Sequence, residues 1–242
     1  MPISNRKISS RICILLLLII FFGTALRLPN LFSPLTELHD FRQTQTAANV
    51  WLYYKYGFKL FEYHVPMFGG KYWMWDFPLY QIVAFAFTQI LGLHDFVGRL
   101  ISILSYVVSS LALFYVCLKV FRKAMYSLLS VFLYSIIPIN IYYYRAYIPD
   151  PFILSISLVG VALSFSLSSS FSLKKLLLIL VIIWIGFISK ITIISAVLLP
   201  IIYLLYISTL KQKRKSIINL IIIFYLIFLF TSFFYGIHIL TI

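Results

Sequence analysis

The chain has 242 residues, of which 62% are hydrophobic, 19% aromatic and only 11% charged. A soluble domain carries about a quarter charged residues, so this composition excludes a soluble globule and indicates an integral membrane protein. The formal net charge of +14 would suit a nucleic-acid ligand, but the lysines and arginines fall in short groups between apolar runs and form no continuous basic face, so membrane topology explains them better.

In chain order, Arg6, Lys7 and Arg11 precede an apolar run over 12–26. A secretory signal with a small-residue exit at Gly23-Thr24-Ala25 would fit, but the run is at the long end for a signal, and it is read as an uncleaved first span. Cys13 lies in this run and Cys117 in a later one, which gives neither a disulfide framework nor a metal-ligand spacing.

A long mixed segment follows over 27–98, with a first outer loop at about 28–98. Trp51, Tyr53, Tyr54, Tyr56, Trp73 and Trp75 crowd it, and such rings favour the headgroup zone, so helices lying along the membrane surface are expected. Within it the stretch 77–93 is apolar enough to be a span. If it crossed, the basic groups Lys119/Arg122/Lys123, Lys174/Lys175 and Lys211/Lys213/Arg214/Lys215 would face away from the basic N-terminus, against the positive-inside rule. The stretch is therefore read as lying on or dipping into the outer face.

Later spans are expected over 100–118, 124–143, 152–167, 176–189, 191–207 and 217–234. The result is an all-α protein of seven spans, one transmembrane domain over 1–242, with a cytoplasmic N-terminus and an outer C-terminus. All six acids (Glu37, Asp40, Glu62, Asp76, Asp95, Asp150) and all four histidines (His39, His64, His94, His238) then fall on the outer side. Pro138 and Pro200 should kink their spans, and Ser168 to Ser170 form a turn. The run 176–189 is short for a bilayer and ends at Lys190, placing an ionisable group at membrane depth, either as a functional residue or as a snorkelling anchor.

No internal repeat, Walker loop, dinucleotide fingerprint, zinc-protease pair, nucleophile elbow or Asp-x-Asp pair is present. Polar groups instead collect on the expected outer face: Asp40 and Arg42, Asp76, Arg145 and Asp150, then Lys190. Arginine and lysine suit a phosphate, and a carboxylate can take a proton from a nucleophile. Against this, Asp40 followed by Gln43 has the spacing of a helix capping box, and the other charges could be helix caps or interfacial pairs.

The segments His39-Asp40-Phe41-Arg42-Gln43-Thr44-Gln45-Thr46-Ala47, Asp76-Phe77-Pro78-Leu79-Tyr80, His94-Asp95-Phe96-Val97-Gly98-Arg99, Arg145-Ala146-Tyr147-Ile148-Pro149-Asp150 and Gly186-Phe187-Ile188-Ser189-Lys190 occur in an order that resembles the N-terminal half of bacterial glycosyltransferases related to protein O-mannosyltransferases and the lipid A aminoarabinose transferase. The resemblance covers roughly 10–210 and implies a GT-C fold, a polyprenyl-phosphate sugar as donor and an active site on the outer face of a bacterial inner membrane. It maps the catalytic base onto Asp40 and places Asp76, Asp150 and Lys190 near the donor. Phe77 stands where the family often has Lys before Pro, and members are generally about twice this long. The expected activity is inverting sugar transfer to a lipid, glycan or protein acceptor. Arg42, Arg145 and Lys190 would bind the phosphate, Asp76 and Asp150 would orient the sugar or the cations, and a divalent metal is left open. The competing reading is a noncatalytic polytopic membrane protein: a lipid-carrier translocation subunit, a scaffold or an inactive truncated remnant.

Overall fold

A computed structural model describes residues 9–36, 39–59, 77–212 and 225. Among these the chain is all helical: α1 (Ser10–Ala25), α2 (Asp40–Tyr56), α3 (Leu79–Leu91), α4 (Phe96–Phe121), α5 (Ala124–Ile136), α6 (Pro138–Tyr143), α7 (Asp150–Ser169) and α8 (Leu173–Gln212). Of these, α4 and α7 are long and apolar enough to cross a bilayer, and α1, α3, α5 and Thr192–Ile207 are shorter apolar helices. The expected span 217–234 lies outside the described residues except for Tyr225.

The packing is inverted relative to a soluble protein. Ser102, Ser105, Ser109, Ser127, Ser135, Ser155, Ser157 and Ser164 are buried, while Leu17, Phe21, Leu104, Leu111, Leu129 and Phe132 are exposed. Apolar side chains facing lipid with small residues between helices are how a helical membrane protein packs, because close backbone approach replaces the missing hydrophobic drive between helices. Most of these serines return their hydroxyls to carbonyls of the preceding turn, as Ser105 Oγ does to Ile101 O at 2.8 Å and Ser157 Oγ to Ile153 O at 2.8 Å, and so meet their own donors in the apolar interior.

Two breaks shape the bundle. The run 124–143 is not one helix: Ile137 takes φ −61°, ψ 122°, ending α5, and Pro138 opens α6. A residue before proline is pushed out of the helical region, and proline is well tolerated in a first turn. The second break is at Lys190, where φ −164°, ψ 85° interrupts α8. Leu176, Ile179 and Leu180 share one buried cluster with Ile201 and Leu205. Residues 180 and 201 would stand about 30 Å apart along a straight helix, so α8 is a hairpin whose two arms fold back at Lys190. A Cβ at Gly186 would lie 2.8 Å from Ile194 Cδ1, and one at Gly160 of α7 would lie 2.9 Å from Ile182 Cγ2. These glycines let the two arms, and α7, approach closely.

Helix directions follow from the contacts. Ile12 packs into the same cluster as Phe114, Leu118 and Leu128, and Arg27 Nη1 donates to Ser135 O at 3.2 Å. Thus α1 runs parallel to α5 and antiparallel to α4. The segment after α1 returns to the end it left, because the buried Arg99 guanidinium at the start of α4 donates to the carbonyls of Asn30, Leu31, Ser33 and Pro34. Residues 30–34 and the start of α4 therefore lie at the same end of the bundle. Lys119, Arg122, Lys123, Lys174 and Lys175 gather at one end of the bundle with Arg11. Asp40, Asp95, Asp150, His39 and His94 gather at the other.

Candidate functional site

The acidic end is built around the loop joining α6 to α7. Tyr147 N–H donates to Gln43 Oε1 at 3.0 Å, and Ser102 Oγ donates to the neighbouring Ala146 O at 2.7 Å. The Tyr147 ring lies flat over Gly98, where any Cβ would overlap it, and meets Tyr80 edge-on at 5.9 Å between centroids. Tyr80 OH in turn donates to Gly98 O at 2.8 Å. One loop is thus fixed simultaneously by α2, α3 and α4. Burial pushes the Tyr147 phenol up from its usual range, with the nearby Asp95 charge adding to the shift, so this ring is a neutral packing group.

Beyond that loop, Asp150 opens α7 and its Oδ1 lies 3.8 Å from Lys190 Nζ, both side chains being mostly buried. Lys190 owes its position to the hairpin. As an extended residue between two helical arms it interrupts the helical ladder, and the carbonyl of Ile188 accepts instead from Phe77 N–H at 2.9 Å. Asp150 Oδ2 and Ser189 Oγ are buried without a hydrogen-bond partner among the described residues. A buried cation is therefore flanked by a carboxylate oxygen and a hydroxyl with spare capacity, which is costly unless a ligand completes them. Chemically, the ammonium can hold a phosphate oxygen, and the free carboxylate oxygen can accept from a sugar hydroxyl.

Asp40 and Arg42, in the first turn of α2, are exposed. The expected capping box is not formed. His39, in the left-handed region at φ 58°, is the N-cap, and Asp40 is the first helical residue, its Oδ1 accepting from Phe41 N–H at 2.6 Å. Gln43 is buried, and its Oε1 accepts from Tyr147 N–H. His39 Nε2 lies 3.5 Å from Tyr143 OH, which ties the start of α2 to α6. Neither Asp40 nor Arg42 is hydrogen-bonded or ion-paired to Asp150 or Lys190 among the described residues. Arg145 lies half-buried in the central loop. Asp76 lies outside the described residues, although its chain neighbour Phe77 is anchored two residues from Lys190. Among the described residues no three His, Cys, Asp or Glu side chains gather as metal ligands would.

Two buried arginines escaped the reading of the sequence. Arg99 is the carbonyl clamp described above. Arg27, fully buried, stacks its guanidinium 3.6 Å from the Tyr106 ring centroid and donates from Nη1 to Gly23 O at 2.6 Å. In sequence each looks like an ordinary basic flank of an apolar run.

No curated protein and no solved structure matches the chain. Residues 77–235, well over half of its length, match the dolichyl-phosphate-mannose-protein mannosyltransferase family. The matched stretch contains the Phe77 anchor, the Arg99 clamp, the central loop and the Asp150–Lys190 pair. This all-helical membrane protein belongs to the dolichyl-phosphate-mannose-protein mannosyltransferase family.

Proposed function

We propose that the chain, as one membrane domain over 1–242, transfers a sugar from a polyprenyl-phosphate donor to an acceptor outside the cytoplasm, with mannose the first sugar to test. The observation carrying this reading is the convergence at the hairpin tip: Lys190, Asp150 and the Phe77 anchor come from distant parts of the chain to one buried, charged corner of an otherwise apolar bundle. A lipid-linked phosphate requires a cation reachable from the membrane, and a sugar requires hydrogen-bond acceptors beside it.

The reaction is a direct displacement with inversion. The acceptor oxygen bonds to the anomeric carbon as the bond from that carbon to the phosphate oxygen breaks, and polyprenyl phosphate departs with the electron pair. Lys190, Arg145 and Arg42 stabilise the charge on the departing phosphate. Asp150, with Asp76, orients the sugar hydroxyls, and Asp40 takes the acceptor proton. The exposure of Asp40 suits that role, since the acceptor arrives from water while the donor arrives from lipid.

The test is transfer of label from radioactive polyprenyl-phosphate mannose to lipid, glycan or protein acceptors in membranes containing the full chain. Transfer that requires Lys190 supports the reading. Equal transfer by Lys190→Met removes this corner from the reaction.

A further inference from the structure

At the basic end of the bundle, remote from Lys190, a groove of about 390 Å³ runs between α4 and α7, lined by Val108, Leu111, Tyr115, Val159, Ala162 and Ser166 among others. Its walls are almost wholly apolar, and Val108 and Leu111 are exposed on the lipid-facing surface. Two lysines stand near the helix termini at this end. Lys119 holds its ammonium 5.2 Å from the Tyr115 ring centroid. Lys175 Nζ donates to Ser166 Oγ at 2.9 Å and to Ser170 Oγ at 3.0 Å. Each lysine is therefore held by a residue that lines, or lies next to, the groove. No described acid stands near them, since Asp40, Asp95 and Asp150 all lie at the opposite end.

We infer that this groove is a binding site for an anionic phospholipid, one acyl chain lying between α4 and α7 and the phosphate meeting Lys119 and Lys175. A free phosphate would gain nothing from the apolar walls. A zwitterionic lipid would fill the groove but leave the lysines without a net anion. Basic pockets between spanning helices recognise anionic headgroups on this logic, each lysine contributing about fivefold in affinity. The inference does not depend on sugar transfer at the other end.

The test uses the full chain in phosphatidylcholine vesicles doped with phosphatidylglycerol bearing a photoreactive acyl chain, with crosslinks located by mass spectrometry. Peptides covering 108–115 and 159–166 should be labelled more strongly than by phosphatidylcholine bearing the same chain. Lys119→Gln and Lys175→Gln, at half-exposed helix ends where folding tolerates them, should each lower the yield about fivefold. Ala162→Phe, which fills the groove with both lysines intact, should also lower it. Equal labelling by the two lipids, or an unchanged yield in either lysine variant or in Ala162→Phe, would overturn the inference.

Discussion

Lys190 Nζ and Asp150 Oδ1 stand 3.8 Å apart at the turn of the α8 hairpin, and both side chains are mostly buried. Breaking a buried pair by removing one member costs about 3–5 kcal/mol, because the remaining charge loses its partner. Removing both charges is far less harmful. Lys190→Met should therefore lower the thermal midpoint markedly, and adding Asp150→Asn to it should restore much of the loss. A double-mutant cycle with no coupling between the two positions would show that they do not act as a pair.

The same cation separates two donor-binding outcomes. If Lys190 holds the lipid-linked phosphate, Lys190→Arg should bind donor nearly as well as the native chain, while Lys190→Met should bind it far more weakly. Equal affinity in all three, measured by flotation with labelled polyprenyl-phosphate sugar, would make Lys190 a structural residue only.

Asp40 carries the base assignment. Asparagine can keep the short hydrogen bond from Phe41 N–H, so Asp40→Asn should remain folded and bind donor. Losing a general base reduces the rate by about 100-fold to 10,000-fold. Sugar transfer in membranes should fall within that range. An unchanged rate would move the search for the base to Asp76 or Asp150.

Gly98 tests how tightly the central loop is held. Any side chain there must displace the Tyr147 ring, and overpacking of this kind costs about 1–3 kcal/mol. Gly98→Ala should lower the thermal midpoint and, by shifting the loop that leads to Asp150, weaken donor binding. A variant with native stability and affinity would show that the loop yields without consequence.

Orientation is checked by labelling. In a background lacking Cys13 and Cys117, a cysteine at Asp95 should react with a membrane-impermeant thiol reagent in intact cells, and one at Ser169 should not. Both positions are exposed, and the bundle places them at opposite ends. The reverse pattern would put the acidic end in the cytoplasm.

The break at Lys190 was legible in the sequence because the run 176–189, short for a bilayer, meets a second apolar run there at one ionisable residue. Pro138 was legible for the same local reason, since its ring acts on the residue before it. Other features depend on partners far along the chain. Gln43 looked like half of a capping box, but Tyr147, 104 residues away, claims its amide and leaves His39 to start α2. Arg27 received no role, and Arg99 stood only as the last residue of the family-like segment 94–99, because nothing near them in sequence announces Tyr106 or the carbonyls of 30–34. Asp40 and Arg42 were grouped with Lys190 by expected face and by resemblance, and among the described residues no hydrogen bond or ion pair joins them to it.

Among the described residues the Arg99 clamp joins a guanidinium to the backbone carbonyls of Asn30, Leu31, Ser33 and Pro34. A guanidinium keeps its charge over the whole working range, and a carbonyl has no proton to gain or lose there. These four contacts therefore carry no pH dependence of their own, and the start of α4 keeps residues 30–34 fastened through a bond type that neither acid nor base loosens.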